Sequence, residues 1–216
     1  MHTTLLFDLD GTLLDTSPGI FSTANYTLRT LGLPEQSNAQ LRKFVGPPLA
    51  ACFRVACGLE ESLIPKACDI YREEYTRAGA MFDASVYAGI AELLDALASR
   101  NITLAVATLK LESLAHDILE QFGLAHYFAV ISGADLQGNL TKADIIEQAL
   151  TRLNHHGRKD VLMVGDTPHD LDGALVAGVD FVGVDWGFGF SRGHAEKSTG
   201  NVLGMIDEPA ALLDYL

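Results

Sequence analysis

The sequence predicts an α/β protein: a parallel sheet with helices on both faces, and a small all-helical domain inserted after the first strand. Three observations predict it. The chain opens with a short apolar run that ends in acidic residues. A long stretch with helical periodicity follows. Beyond residue 87, helix-like and strand-like segments alternate, which is typical of βαβ units.

The first strand is predicted at residues 3–9, where apolar side chains stand next to each other as in a strand buried on both faces. Ser17 and Pro18 then start a helix, as N-cap and first-turn residue, and Gly32 ends it. Glycines separate three further amphipathic segments, at 41–45, 48–57 and 63–77.

These segments divide the chain into two parts. We expect residues 16–82 to form the helical insertion, and residues 1–15 and 83–216 to form the sheet domain. In the sheet domain, helices are predicted at 90–99, 111–122, 143–153 and 169–176, and strands at 102–107, 128–131, 161–164 and 181–184. Parallel strands need crossover helices, so the series predicts a Rossmann-like sheet. Residues 191–200 are predicted as a polar loop, and 209–216 as a short closing helix.

Composition limits the possible partners. The 216 residues contain 15 basic and 28 acidic side chains, a net charge of −13, which disfavours binding to nucleic acid or an anionic membrane. No run approaches the roughly 18 apolar residues of a membrane span, and the N-terminus does not resemble a signal peptide. Three cysteines lack disulfide or zinc-site spacing. We therefore expect a cytoplasmic protein, a monomer or homodimer, with no nucleic acid polymer and no membrane as partner.

The residues that follow the predicted strands carry candidate chemistry. In open parallel sheets, ligands bind at the carboxyl ends of the strands. Carboxylates that converge there repel each other unless a cation lies among them, and oxygen ligands suit Mg²⁺. A neighbouring Thr hydroxyl and Lys ammonium would make it a phosphate site. The residues concerned are Asp8, Asp10, Gly11, Thr12, Thr108, Lys110, Lys142, Gly165, Asp166, Thr167 and Asp170.

The spacing of Asp8 and Asp10 suggests paired roles. Residues two apart in a strand point to the same side, so both carboxylates could face one reaction centre. One could bind the metal and attack phosphorus, and the other could carry a proton to the leaving oxygen.

The chain resembles the haloacid dehalogenase superfamily over its whole length. Residues 8–13, Asp-Leu-Asp-Gly-Thr-Leu, are similar to the first motif of the superfamily. Thr108 is similar to the second motif, Lys142 to the third, and residues 165–170 to the fourth, in the expected order. The helical insertion is similar to the superfamily's small helical cap. Residues 46–49, 71–73 and 166–178 most resemble the phosphoglycolate-phosphatase-like group, including relatives that act on nucleoside monophosphates.

The resemblance implies a Mg²⁺-dependent phosphatase acting on a small phosphate monoester. It assigns Asp8 as the nucleophile and Asp10 as the general acid that later becomes the base. Asp8, the backbone carbonyl of Asp10 and Asp166 would bind Mg²⁺, with Asp170 in the outer shell or orienting Lys142. Thr108 and Lys142 would bind the phosphoryl oxygens.

One position departs from the family pattern. Leu109 stands where the family usually has Asn or Ser, so a polar contact to the substrate is lost and substrate assignment by analogy is weakened. Gly46 marks the cap loop near the site. Arg42 and Lys43 beside it either meet the far end of the substrate or belong to a solvated helix face.

Three other functions stay open at this stage. A phosphomutase of the same family would return the phosphoryl group to another hydroxyl of the substrate. A dehalogenase would need neither Mg²⁺ nor an acid at Asp10. A signalling module would use a phosphorylated Asp8 as a switch, but such modules are shorter and lack the insertion.

Overall fold

The computed structural model describes residues 1–190 and 201–216, so the polar loop predicted at 191–200 lies outside the described residues. The described strands are β1 (Thr4–Phe7), β2 (Leu14–Asp15), β3 (Ser85–Val86), β4 (Thr103–Leu111), β5 (Val130–Ala134), β6 (Val161–Gly165), β7 (Asp180–Val184) and β8 (Val202–Ile206). The α-helices are α1 (Ser17–Thr30), α2 (Asn38–Leu41), α3 (Leu49–Ala56), α4 (Ile64–Arg77), α5 (Ile90–Ser99), α6 (Glu112–Gln121), α7 (Lys142–Arg152) and α8 (Pro168–Ala177).

Six of the strands form one parallel sheet in the order β5-β4-β1-β6-β7-β8. β1 lies between β4 and β6, and Leu6 is in register with Ala105 on one side and Met163 on the other. The acidic end of the first strand therefore lies near the middle of the sheet edge, where side chains from both neighbouring strands can reach it.

Helices cover both faces of the sheet, because successive side chains of a buried strand alternate between two cores. Leu5 and Phe7 belong to the core that also includes apolar residues of α5, α6 and the helical insertion. Leu6 belongs to a second core with apolar residues of α7 and α8. The structure thus confirms the predicted α/β architecture.

The segment between β2 and β3 is helical throughout its regular elements. It contains α1 to α4 and two short 3₁₀ turns at 42–44 and 80–82, and β2 pairs with β3 antiparallel at its base. An aromatic cluster organises its interior: the ring centroids of Phe44 and Phe53 lie 4.9 Å apart, and those of Tyr71 and Tyr75 5.4 Å apart. That residues 16–82 act as a separate cap stays a prediction. Within the described ranges, no helix combines the length and apolar character needed to span a bilayer.

Several elements differ from the prediction. β4 extends to Leu111, because pairing with β5 continues past a register shift, so Thr108 and Lys110 lie within the strand. Strand β8 was missed, since Gly204 interrupts a five-residue edge strand whose pairing with β7 is non-local. The closing helix is a 3₁₀ helix at Pro209–Tyr215.

Candidate active site

Three buried carboxylates converge at the carboxyl edge of the sheet. Asp8 follows β1, Asp166 follows the adjacent β6, and Asp170 lies in the first turn of α8. One carboxylate oxygen from each lies within 4.8 Å of the others, and none of the three residues is more than 4% exposed. The predicted convergence of these acids follows from the sheet order, since neighbouring parallel strands end at the same edge.

Lys142 reaches this cluster from the first residue of α7. Its Nζ lies 2.7 Å from Asp8 Oδ1 and 2.5 Å from Asp170 Oδ1. Gly173 on α8 leaves room for the lysine stem, because a Cβ there would lie 2.6 Å from Lys142 Cγ. Thr141 and Asp144 cap the start of α7 reciprocally and fix where the lysine begins.

Asp170 connects the lysine to a helix terminus. Its Oδ2 accepts hydrogen bonds from the Thr167 backbone N–H at 2.9 Å and from Thr167 Oγ1 at 2.7 Å. The other oxygen of the carboxylate faces Lys142. Asp170 therefore closes the N-terminus of α8 and orients the ammonium group toward Asp8.

Burial sets the electrostatics of the cluster. Desolvation raises the pKa of Asp8 to about 6, against the opposing effect of the Lys142 ammonium and with smaller contributions from Asp170 and Asp10. Desolvation likewise raises the pKa of Asp166 well above its usual value, and the charges of Asp170 and Asp8 add to the effect. Both shifts mean that burial makes the ionised carboxylates less stable than they are in water, so a cation placed among them would favour the ionised cluster.

A divalent cation fits this arrangement. Three carboxylates face one ammonium group, and the donor atoms are oxygens, as Mg²⁺ prefers. Asp166 is held in place by the Phe188 backbone N–H, 2.7 Å from its Oδ2, and by Thr12 Oγ1, 3.3 Å from its Oδ1. Asp8, Asp166 and Asp170 could therefore hold the ion.

The Asp10 carboxylate lies outside the three-carboxylate cluster. It accepts hydrogen bonds from Thr16 Oγ1 at 2.5 Å and from Lys110 Nζ at 3.0 and 3.2 Å. β1 ends at Phe7 and the chain turns at Gly11, yet the Asp10 charge still contributes to the raised pKa of Asp8; that the two carboxylates face one reaction centre stays a prediction. Metal binding by the Asp10 side chain is therefore not supported, whereas binding by its carbonyl stays a prediction.

Sequence reasoning missed Thr16 as a site residue, and it named Lys110 after the second strand without giving it a role. The signal was its spacing: it follows Thr108 by two residues in β4 and so shares a strand face with it. Lys110 is buried, and the Asp10 carboxylate and Tyr75 outweigh desolvation and raise its pKa. Its Nζ also lies 5.1 Å from the Tyr75 ring centroid.

Thr108 lies at the carboxyl edge of the sheet. The register pairs Phe7 with Val106, so Thr108 stands two residues further along, at the same edge as Asp8. Thr108 is 1% exposed, and its Oγ1 accepts a hydrogen bond from the Lys110 backbone N–H at 3.2 Å.

Gly11 allows the turn between Asp10 and Thr12. Its φ of +86° favours glycine, and a Cβ there would lie 2.3 Å from Asp166 Oδ2. This turn can therefore approach the carboxylate cluster closely because Gly11 has no side chain.

The four candidate substrate residues separate into two pairs. Gly46 and Leu109 line a cavity of about 140 Å³ between the helical insertion and the sheet domain. Arg42 does not line it: its guanidinium donates to the Gly187 carbonyl at 3.1 Å and lies 4.9 Å from the Phe188 ring centroid. Lys43 is exposed and is not a lining residue either. The predicted substrate contact of Arg42 and Lys43 therefore has no support in the geometry.

Comparison with known proteins agrees with these features. Residues 5–184 match the sequence model of a family described as haloacid dehalogenase-like hydrolase. A protein named 5'-nucleotidase from Pseudomonas aeruginosa is 39% identical over 185 residues, which cover 86% of this chain and 83% of that protein. A phosphoglycolate phosphatase from Agrobacterium fabrum is 37% identical over 190 residues, covering 85% and 80% of the two chains.

Two further matches bear on the fold and on the range of functions. A crystal structure described as a predicted phosphatase from Clostridium acetobutylicum superposes with a TM-score of 0.89 at 36% identity, covering 100% of this chain and 98% of that one. Tyrosine-protein kinase PtkA from Mycobacterium tuberculosis is 40% identical over 186 residues, 86% of this chain but 62% of that protein.

Proposed function

The chain belongs to the haloacid dehalogenase-like hydrolases, and from that membership we propose that it is a Mg²⁺-dependent phosphatase. It would hydrolyse a small phosphate monoester, phosphoglycolate-like or a nucleoside monophosphate, through an aspartyl-phosphate on Asp8. The observation that carries the proposal is the buried contact between Asp8 and Lys142 within a cluster of three carboxylates. The names of the nucleotidase and phosphoglycolate phosphatase relatives support this substrate range.

Asp8 is the proposed nucleophile. One of its carboxylate oxygens bonds to phosphorus as the bond from phosphorus to the leaving oxygen breaks. Lys142 and Thr108 bind the phosphoryl oxygens and offset the negative charge brought next to Asp8. Mg²⁺ held by Asp8, Asp166 and Asp170, and by the Asp10 carbonyl, would supply further positive charge to the same oxygens.

Asp10 is the proposed acid and base. In the first step it gives its proton to the leaving oxygen. In the second step it takes a proton from water, and the resulting hydroxide attacks phosphorus. The bond from phosphorus to Asp8 then breaks, which frees the Asp8 carboxylate and inorganic phosphate. Thr16 and Lys110 hold its carboxylate at the edge of the cavity. Asp10 thus stands between the phosphoryl site and the space available to a leaving group.

We further propose that residues 16–82 act as a cap over this cavity. Phe44, Gly46 and Tyr71 of the insertion line it from one side, and Leu109 and Leu114 from the other. A closed cap would exclude water from the first step. The cytoplasmic location and the oligomeric state, monomer or homodimer, stay predictions of the sequence.

The test is phosphate release from phosphoglycolate, nucleoside monophosphates, sugar phosphates and an aryl phosphate, each with Mg²⁺ and with EDTA. We expect release that depends on Mg²⁺. Release that persists in EDTA, or no release from any ester, would contradict the proposal.

Two further readouts separate the alternatives. Bisphosphate intermediates from a sugar phosphate would identify a mutase, and an aspartyl-phosphate that outlasts turnover would identify a phospho-switch. The similarity to the mycobacterial tyrosine-protein kinase does not favour kinase activity, because the chain spans 62% of that protein.

A further inference from the structure

Arg42 joins the helical insertion to the segment that follows β7. Its Nη2 donates a hydrogen bond to the Gly187 carbonyl at 3.1 Å, and its guanidinium lies 4.9 Å from the centroid of the Phe188 ring. Arg42 therefore contacts both the backbone and a side chain of this segment. These contacts replace the substrate contact that the sequence predicted for it.

The peptide group between Gly187 and Phe188 makes a hydrogen bond at each end. Its carbonyl accepts from Arg42, and its N–H donates to Asp166 Oδ2 at 2.7 Å. Because a peptide group is planar and rigid, the direction of its carbonyl fixes the direction of its N–H. A hydrogen bond to the carbonyl also polarises the group and strengthens the bond that the N–H donates. One rigid unit thus connects Arg42 of the insertion to Asp166 of the carboxylate cluster.

This segment packs against Asp166 so closely that it has no room for side chains at two positions. A Cβ at Gly187 would lie 2.3 Å from Asp166 Oδ2, and a Cβ at Gly189 would lie 2.7 Å from the Asp166 carbonyl oxygen. The Phe190 N–H donates to that same carbonyl at 3.0 Å. Any displacement of the segment therefore changes the surroundings of the Asp166 carboxylate directly.

The same part of the insertion also contacts the residue that holds a second carboxylate. Gly46 has a φ of +102°, and a Cβ there would lie 2.9 Å from Thr167 Cγ2. Thr167 holds Asp170 through its backbone N–H and its hydroxyl. Residues 42–46, here named the docking turn, thus contact the supports of two of the three clustered carboxylates.

We propose that Arg42 is a positioning residue for the metal site: from the docking turn it fixes the peptide group that holds Asp166 in place. Seating of the docking turn on the sheet domain and binding of Mg²⁺ then favour each other, because coupling between two sites is reciprocal. The inference rests on the proposed function only through its Mg²⁺ site. It gives the insertion a role in metal binding in addition to covering the cavity.

The first test measures the binding of Mg²⁺ alone to the metal-free full chain by isothermal titration calorimetry, without substrate. Arg42 is exposed, so Arg42→Gln should fold, which circular dichroism checks. We expect its Kd for Mg²⁺ to rise at least about threefold, which corresponds to about 0.7 kcal/mol. An unchanged Kd in Arg42→Gln would overturn the inference.

Lys43→Gln is the matched control for charge. Lys43 is exposed and lies in the same 3₁₀ turn, so the substitution removes the same unit of charge from the same part of the insertion. We expect its Kd for Mg²⁺ to equal that of the wild type. An equal rise of the Kd in both variants would overturn the inference, because loss of positive charge alone would then explain the effect.

The second test follows the segment itself. Trp186 is the single tryptophan of the chain, and its Nε1 donates to the Thr12 carbonyl at 3.2 Å, so its emission reports on this segment. In EDTA, acrylamide should quench the emission more strongly in Arg42→Gln than in the wild type or in Lys43→Gln. Equal quenching in all three proteins would show that the segment keeps its place without Arg42, and would overturn the inference.

The outcomes separate this inference from the proposed function. If the wild type does not bind Mg²⁺, the metal site and the role of Arg42 are rejected together. If the wild type binds Mg²⁺ and Arg42→Gln binds it equally well, the role of Arg42 alone is rejected. If the Kd rises in Arg42→Gln but no ester releases phosphate, the phosphatase function is rejected and the role of Arg42 stands.

Discussion

The Asp8 side chain is almost completely buried, but one of its carboxylate oxygens contacts the charged ammonium group of Lys142. It is 4% exposed, and Lys142 Nζ lies 2.7 Å away. Burying a carboxylate in such a place lowers the stability of the fold, and groups with such a cost cluster at functional sites. Its raised pKa records that cost, since desolvation is the largest cause of the shift.

Asp8→Asn should abolish phosphate release while leaving the fold intact. The amide has the same shape but cannot form the acyl-phosphate, so kcat should fall at least about 10⁴-fold. Steady-state phosphate release measures it, with circular dichroism as the check on folding. Asp117→Asn, at an exposed position of α6, is the matched control. Near-normal turnover in Asp8→Asn would show that another group attacks phosphorus.

Gly11→Ala should lower the stability of the protein by more than the strain of its positive φ alone explains. Gly11 and Gly32 both have positive φ, at +86° and +73°, so alanine at either position costs about 1–2 kcal/mol. At Gly11 the new Cβ would also lie 2.3 Å from Asp166 Oδ2, whereas at Gly32 it meets nothing within 4 Å. Urea unfolding should show a further loss of about 1–3 kcal/mol for Gly11→Ala.

The Mg²⁺ dependence of activity gives a second readout for the Gly11→Ala and Gly32→Ala variants. Because the added methyl displaces Asp166, Gly11→Ala should raise the Mg²⁺ concentration required for half-maximal activity, and Gly32→Ala should not. Equal effects of the two substitutions on stability and on Mg²⁺ dependence would mean that the turn does not shape the carboxylate cluster.

At the scale of elements, the start of α7 positions the lysine of the site. Thr141 Oγ1 accepts a hydrogen bond from the Asp144 N–H at 3.2 Å, and Asp144 Oδ2 accepts from the Thr141 N–H at 2.8 Å. Lys142 is the next residue, so any fraying of the first turn displaces its ammonium group. The capping of α7 by Thr141 and Asp144 therefore stabilises the helix and also positions Lys142 in the site.

Thr141→Ala should cost about 0.5–2 kcal/mol of stability and also lower kcat. Ser37→Ala is the matched control, because Ser37 caps α2 through the Gln40 N–H at 3.3 Å and α2 carries no site residue. Chemical unfolding should show a loss in both variants, and phosphate release should fall only in Thr141→Ala. A decrease in kcat of the same size in both variants would mean that the decrease comes from general destabilisation of the fold and not from displacement of Lys142.

The sequence predicted those parts of the site that depend on local pattern and strand order. Asp8 and Asp166 end two apolar strands, and the general rule for parallel sheets brings such ends together. Thr108 and Lys142 were assigned by their resemblance to the second and third motifs of the family, in the expected order along the chain. Strand β8 was not predicted, because its partner β7 is set by the fold and Gly204 breaks its pattern.

The side-chain partners of Asp10 could not be predicted from the sequence. Its salt bridge joins residues 100 positions apart, and the direction of its carboxylate depends on where β1 ends. The link from Arg42 to the Gly187 carbonyl is also non-local. Periodicity identifies a face of an element, whereas such contacts are fixed by how the insertion packs on the sheet domain.

At the scale of the whole molecule, the carboxylate cluster couples folding to pH and to metal. In the metal-free fold, burial raises the pKa of Asp8 from 3.8 to about 6, so the folded state binds a proton more tightly than the unfolded chain does. The stability from this group is therefore fully present below about pH 4 and is lost as the pH rises through about 6. One pKa unit corresponds to about 1.4 kcal/mol, which makes the Asp8 contribution about 3 kcal/mol.

Asp8→Asn should accordingly stabilise the metal-free protein at neutral pH, because the amide mimics the protonated carboxyl and needs no counter-charge. In EDTA we expect its free energy of unfolding to exceed that of the wild type by up to about 3 kcal/mol near pH 7, and the difference to shrink toward pH 4. Adding Mg²⁺ should reverse the order near pH 7, because the ion stabilises only a fold with the full carboxylate set. Urea unfolding with EDTA and with Mg²⁺ measures both effects. A wild type more stable than Asp8→Asn in EDTA at every pH would mean that Lys142 alone already balances the buried charge.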